Sequence, residues 1–272
     1  MMKNPDISVL PALQAELASA TNRLLATAAT LSDTDLAAPS LLPGWTRGHV
    51  LAHVAQGAAS YVNLLTWAKT GVRTPQYASM AARSAAIEAA AAHSAARHLA
   101  DLEDSAARLA AAVRDLPDHA WSASVEGMRP PPHPAWYALV RRLREIGVHH
   151  VDLDAGYGSA DWPEPFVLRE LHDTFACWPR GRGPLSEVVI KRLSGQTLVR
   201  WGDLGTGPAV EGTPCDMLAW LSGRSHGEGV NLVTMGRSFT QFSGGTGLPE
   251  PPPWLTMPAP ADLSTTPPKD YP

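Results

Sequence analysis

Cysteine is scarce. Cys177 and Cys215 are the only two in 272 residues, too few and too far apart for a disulfide framework. No run approaches the roughly 18 apolar residues of a membrane span. Met1–Asp6 lacks the charged-then-apolar pattern of a signal peptide, and the chain reads as cytoplasmic. Basic residues are not in excess. A net charge of −4 argues against a nucleic-acid partner, which needs a concentrated basic surface. Arg141, Arg142 and Arg144 do cluster, and a solvated helix flank accounts for them. Also missing are a Gly-x-Ser-x-Gly elbow, a phosphate-binding loop and a dinucleotide fingerprint. The Gly-x-Gly at Gly156-Tyr157-Gly158 follows a helix, the wrong context for a nucleotide site.

What is present is helical periodicity. Leu10, Leu13, Leu17, Leu24 and Leu25 recur at helical spacing and predict a helix over 7–31. Pro39 and Pro43-Gly44 mark a loop, Thr46 is placed to cap a second helix, and Gly71 to end it. A loop over 71–83 then leads into Ala-rich sequence up to Leu116, which predicts one long or two abutting helices because alanine has the strongest helix propensity. After Pro130–Pro134 a helix opens, with Pro134 at its first position, and ends before Gly156. Four helical elements by residue 158 predict a mainly α chain with an N-terminal four-helix bundle over 1–160. A smaller α+β domain over 161–246 follows, with a helix over 165–178, a hairpin of 186–193 with 196–201, a helix over 215–223 and a strand over 230–234. Residues 247–272 hold nine prolines in 26 and little that can pack, so an extended or disordered tail is expected, with a course draped over the surface as the alternative to a free one.

One stretch, Arg141–Gly158, carries the chemistry. Glu145 and His149 are four residues apart and share a helix face, so a carboxylate and an imidazole can hold one metal ion. A second helix must supply the rest. His53 is the better candidate and His49 its rival, which spacing does not separate. Two histidines and one glutamate suit zinc, and three protein ligands leave a coordination position open for chemistry. His150 projects about 100° from His149 and reads as core or as support for a ligand. Cys177 and Cys215 lie in apolar helical patterns and read as core residues rather than nucleophiles.

Leu42-Pro43-Gly44-Trp45-Thr46, followed by Leu51, His53, Val54 and Ala55, resembles the signature of the mycothiol-dependent maleylpyruvate isomerase family, a branch of the DinB-like metal-binding bundles. Tyr77, Ser79, Arg83, Ile87 and Glu88 resemble its second block, and Arg141, Glu145, His149, His150, Val151, Asp152 and Leu153 its third. Asp216, Leu218, Trp220, Leu221, Gly223 and Arg224 resemble a C-terminal block. The matches span about residues 8–235. The resemblance implies that His53, Glu145 and His149 bind a divalent metal, zinc in characterised members. It also implies that Arg224 contributes catalytically, and that Arg83 receives a carboxylate of the substrate or of the thiol cofactor, with a surface ion pair as the alternative.

The expected function is then a zinc- and mycothiol-dependent isomerase acting on a maleylpyruvate-like electrophile by reversible thiolate addition to its double bond. A mycothiol S-transferase or S-conjugate-processing enzyme is the first alternative, and a non-catalytic DinB-like binding protein the second. The partners are small molecules, with neither nucleic acid nor membrane, and the protein is expected to be a monomer or homodimer.

Overall fold

A computed structural model of the chain describes residues 9–234, 237–238, 247–252, 254–256 and 258–272. Residues 7 and 8, where the first helix was expected to begin, lie outside them. The chain divides into two compact units, one of residues 1–158 with 262–271, the other of 159–261 with Pro272. Among the described residues no helix is long and apolar enough to cross a membrane.

In the first unit α1 (Val9–Ala28) buries Leu13, Leu17, Ala20, Leu24 and Ala28 along one stripe. A short α2 (Asp33–Ala37) follows, where the sequence reads only as a break. Ser32 caps it through a capping box with Asp35, a signal present in the sequence at the required spacing. α3 (Arg47–Thr70) begins at the expected Thr46 cap and ends on Gly71, whose φ of 72° is the left-handed conformation that glycine adopts without penalty. The Ala-rich stretch is two helices, α4 (Met80–Ala91) and α5 (Ala95–Arg114), capped by Ser79 and Ser94. α4 therefore starts inside the segment read as loop. Gly48 lets α4 end close to α3, since a Cβ there would lie 2.2 Å from the Ala91 carbonyl oxygen.

Pro134 does not open the next helix. It belongs to β2 (His133–Pro134), which pairs antiparallel with β1 (Ser124–Val125), and α6 runs from Tyr137 to Asp152. α6 packs on α1 and α3, which both also pack on α5, so it is a central helix of the bundle. All its residues except Glu145 and Gly147 are buried. The arginine cluster is therefore not a solvated flank. Arg142 is 3% exposed and donates from Nη1 to the Val54 carbonyl at 2.9 Å; Arg144 donates from Nη2 to the Tyr137 hydroxyl at 3.2 Å. Where neighbouring helices cover α6 its cations reach carbonyl and phenol oxygens instead of water. The end of the tail has no helix or strand, in keeping with an extended segment laid on the protein. Residues 262–271 pack within the first unit, where Trp136 Nε1 donates to the Ser264 carbonyl and Tyr271, 8% exposed, meets the Trp136 ring edge-on.

The second unit holds α7 (Glu164–Ala176) and a mixed sheet of order β4-β3-β5-β6-β7. Here β3 (Glu187–Lys191) and β4 (Thr197–Trp201) form the expected hairpin, closed by Gly195. β5 (Ala209–Gly212), not anticipated, runs parallel to β3, and β6 (Asn231–Thr234) and β7 (Arg237–Ser238) complete the order. α8 (Pro214–Leu221) starts at a Thr213 cap with proline in its first turn. Neither cysteine is in a disulfide among the described residues, and both are half-buried. Cys215 Sγ donates to the Ser159 carbonyl, and burial with the nearby Asp216 and Asp161 carboxylates pushes its thiol up, against a nucleophilic role.

Candidate metal centre

His53 lies in the second turn of α3 and Glu145 and His149 on successive turns of α6. The packing of α3 on α6 brings the three together, and they form the one group of histidine, cysteine and acidic side chains among the described residues with metal-binding geometry. His53 Nε2 is 3.0 Å from Glu145 Oε2 and 3.1 Å from His149 Nε2, and His149 Nε2 is 3.5 Å from the same carboxylate oxygen. A tetrahedral ion about 2.0–2.1 Å from each donor sets the donors roughly 3.3 Å apart, so the three separations are those of one face of such a coordination sphere. The donor set of two imidazoles and a carboxylate fits a borderline-soft divalent ion. The imidazoles are 8% and 9% exposed and the carboxylate 25%, so the site opens to solvent on the Glu145 side.

Electrostatics favour the ligating form of Glu145 and His53, while the charge around His149 favours its protonated form, which an ion has to displace. Burial opposes charge on Glu145, but hydrogen bonds with His149 and His53 outweigh it and hold the carboxyl well below the usual range. Burial pushes His53 down, more than Glu145 pulls it up, and so keeps it neutral. His149 is also opposed by burial, yet Asp152 and Glu145 raise it above the ordinary value. Asp152 is the functional residue that the sequence reading did not single out. Its Oδ2 lies 2.8 Å from His149 Nδ1, three residues back along α6, and the carboxylate is buried. A carboxylate on Nδ1 fixes the ring and turns Nε2 toward the ion, the usual support of a metal-bound histidine. The i, i+3 spacing of His149 and Asp152 is the signal that could have revealed it.

His49, the rival ligand, and His150 are both committed elsewhere. His49 completes the helix cap, its Nδ1 3.2 Å from the Thr46 amide, and its Nε2 pairs with Glu88 at 3.3 Å. His150 lies 2.7 Å from the Thr27 hydroxyl through Nε2 and stacks on Tyr157. Arg83 is at the site, with Nη2 3.0 Å from His53 Nδ1 and its guanidinium 5.7 Å from the Tyr77 ring centre. In the second unit, Arg224 follows α8 by three residues. Its Nη1 donates to the Ser222 carbonyl at 2.6 Å and the guanidinium lies over Trp254.

Residues 17–154 match the family described as mycothiol maleylpyruvate isomerase N-terminal domain. A crystal structure of the mycothiol-dependent maleylpyruvate isomerase matches with a TM-score of 0.75 and 28% identity, over 90% of this chain and 97% of that one. A crystal structure of a histidine-to-alanine mutant of that isomerase matches with the same values. No curated protein matches the chain.

Proposed function

Because this chain belongs to the mycothiol maleylpyruvate isomerase family, we propose that it is a zinc-dependent enzyme that uses mycothiol to isomerise an electrophilic double bond in a maleylpyruvate-like substrate. The observation that carries the reading is the convergence of His53, Glu145 and His149 at the separations of one tetrahedral face. His53, Glu145 and His149 would hold the ion, and zinc there would supply the positive charge that keeps a thiol deprotonated for reversible addition to the double bond.

The protein's own groups do the positioning. Glu145 stays ionised, so the triad partly offsets the charge of the ion it holds. Asp152 locks His149 in the tautomer that presents Nε2. Trp45, whose ring centre is 5.7 Å from that of His53, packs beside the imidazole in an edge-type contact. We assign Arg224 to turnover on the resemblance of its block, as a fork for a substrate carboxylate.

The test is turnover with mycothiol and maleylpyruvate, beside a panel of other electrophiles, in zinc-loaded and chelator-stripped protein. Isomerisation that disappears with the metal and returns with zinc is the expected result. Conjugation of mycothiol to another electrophile without isomerisation would make the protein a transferase, and no turnover in the loaded protein would make it a binding protein. Arg224→Lys keeps the charge but loses the planar fork. Turnover is expected to fall at least tenfold, the equivalent of about 1.4 kcal/mol, with zinc content and melting temperature unchanged. A variant at the wild-type rate removes Arg224 from the mechanism.

A further inference from the structure

His149 and His53 face opposite kinds of neighbour at Nδ1. At His149 the neighbour is Asp152, an acceptor at 2.8 Å. In the neutral ring the proton therefore sits on Nδ1 and the Nε2 lone pair is presented to the site. At His53 the neighbour is Nη2 of Arg83 at 3.0 Å, and a guanidinium only donates. That hydrogen bond needs the lone pair on Nδ1, which leaves the ring proton on Nε2. Nε2 then donates to Glu145 Oε2, 3.0 Å away. A histidine in this form has no lone pair for a metal on Nε2. To ligate through Nε2 the proton must move to Nδ1, where it meets the N–H of Arg83 head-on.

We infer that Arg83 and the metal ion compete for His53, so that loading the metal breaks the Arg83–His53 contact and frees the guanidinium at the edge of the site. The inference rests on the metal reading above. Two further features make the displacement inexpensive. Arg83 Nε is buried with no hydrogen-bond partner, so the guanidinium is incompletely satisfied where it stands. The remaining contact, to the face of Tyr77 at 5.7 Å, is undirected enough to survive a shift of the side chain. A released Arg83 offers a planar pair of donors to a carboxylate, so the anion-binding group becomes available only when the metal is in place. Binding of an anionic substrate and of the metal then become positively coupled.

The test compares wild type with Arg83→Met, which keeps the length of the side chain and removes its donors. Zinc affinity, measured by competition with a chelator, is expected to rise about tenfold in Arg83→Met, the loss of one opposing charged hydrogen bond of about 1.4 kcal/mol. The charge removed would by itself favour a cation, so a second readout is required. Heteronuclear NMR, run at a pH high enough to deprotonate both imidazoles, reads which ring nitrogen carries the remaining proton. In metal-free wild type the proton is expected on Nε2 of His53 and on Nδ1 of His149, with His53 switching to Nδ1 on zinc loading. Protons on Nδ1 of both rings before loading would overturn the competition, as would an unchanged or lower zinc affinity in Arg83→Met. A wild type that binds no zinc would overturn the metal reading itself, and the competition with it.

Discussion

His53→Ala is expected to emerge folded and metal-free, with turnover at background, whereas His49→Ala keeps its full zinc content. The two residues lie one turn apart on α3, and spacing alone treats them alike. Their surroundings do not. His53 Nε2 is within 3.1 Å of both other donors, while both nitrogens of His49 are engaged, one in the Thr46 cap and one with Glu88. Losing a supporting partner of a ligand costs about 10–100-fold in metal affinity, so losing a ligand itself should exceed that range. His49→Ala instead removes part of a helix cap and is expected to cost about 1 kcal/mol of stability. Metal analysis of the purified variants and a urea titration read the two effects separately. Full zinc in His53→Ala with loss in His49→Ala would reverse the assignment.

The second large effect lies away from the site. His133 is 1% exposed, its Nδ1 3.0 Å from the Pro134 carbonyl oxygen and its Nε2 without a partner. Burial pushes its imidazole down to about 4, overriding an upward pull from the Pro134 carbonyl, with smaller downward contributions from the Arg141 and Arg144 charges. The unfolded chain takes up this proton near pH 6.5. Between about pH 6.5 and 4 the unfolded state therefore binds more protons, and stability falls as the pH falls. The contribution is fully present above that window and lost by about pH 4, where the folded imidazole also protonates. A displacement of about 2.5 pH units corresponds to roughly 3 kcal/mol. Urea unfolding at several pH values should show a shallower acid slope in His133→Phe than in wild type, by about that amount. The difference in slope is the readout, because the substitution also changes packing at every pH. Parallel slopes would show that His133 does not drive the acid sensitivity.

The elements most legible in the sequence are those set by local chemistry. Thr46 and Gly71 mark helix ends because caps satisfy orphan backbone groups within a few residues, and Ser79 and Ser94 are local signals of the same kind that the reading passed over. The hairpin of β3 and β4 was legible for the same reason, with its alternation and a closing glycine adjacent in the chain. β5 was not, because its partner β3 lies some twenty residues earlier and the pairing is parallel, with no local turn to announce it.

The sequence alone determined the residue types of the site and the face of α6 that carries Glu145 and His149, since helical spacing puts i and i+4 on one side whatever surrounds them. It also determined the family, through blocks whose order survives without any knowledge of contacts. The tertiary structure decided the rest. Only the packing of α3 on α6 shows His53 at the donors and His49 turned to its cap and to Glu88. Only the position of α6 between α1 and α3 turns three arginines from a solvated flank into buried donors. The outer partners at Nδ1 divide the same way. Asp152 stands on the same helix as His149 and was readable in principle, while Arg83 reaches His53 from α4, thirty positions along the chain. A hydrogen bond within one helix follows from 3.6 residues per turn; one between helices depends on where packing sets them, and no periodicity in the chain encodes that distance.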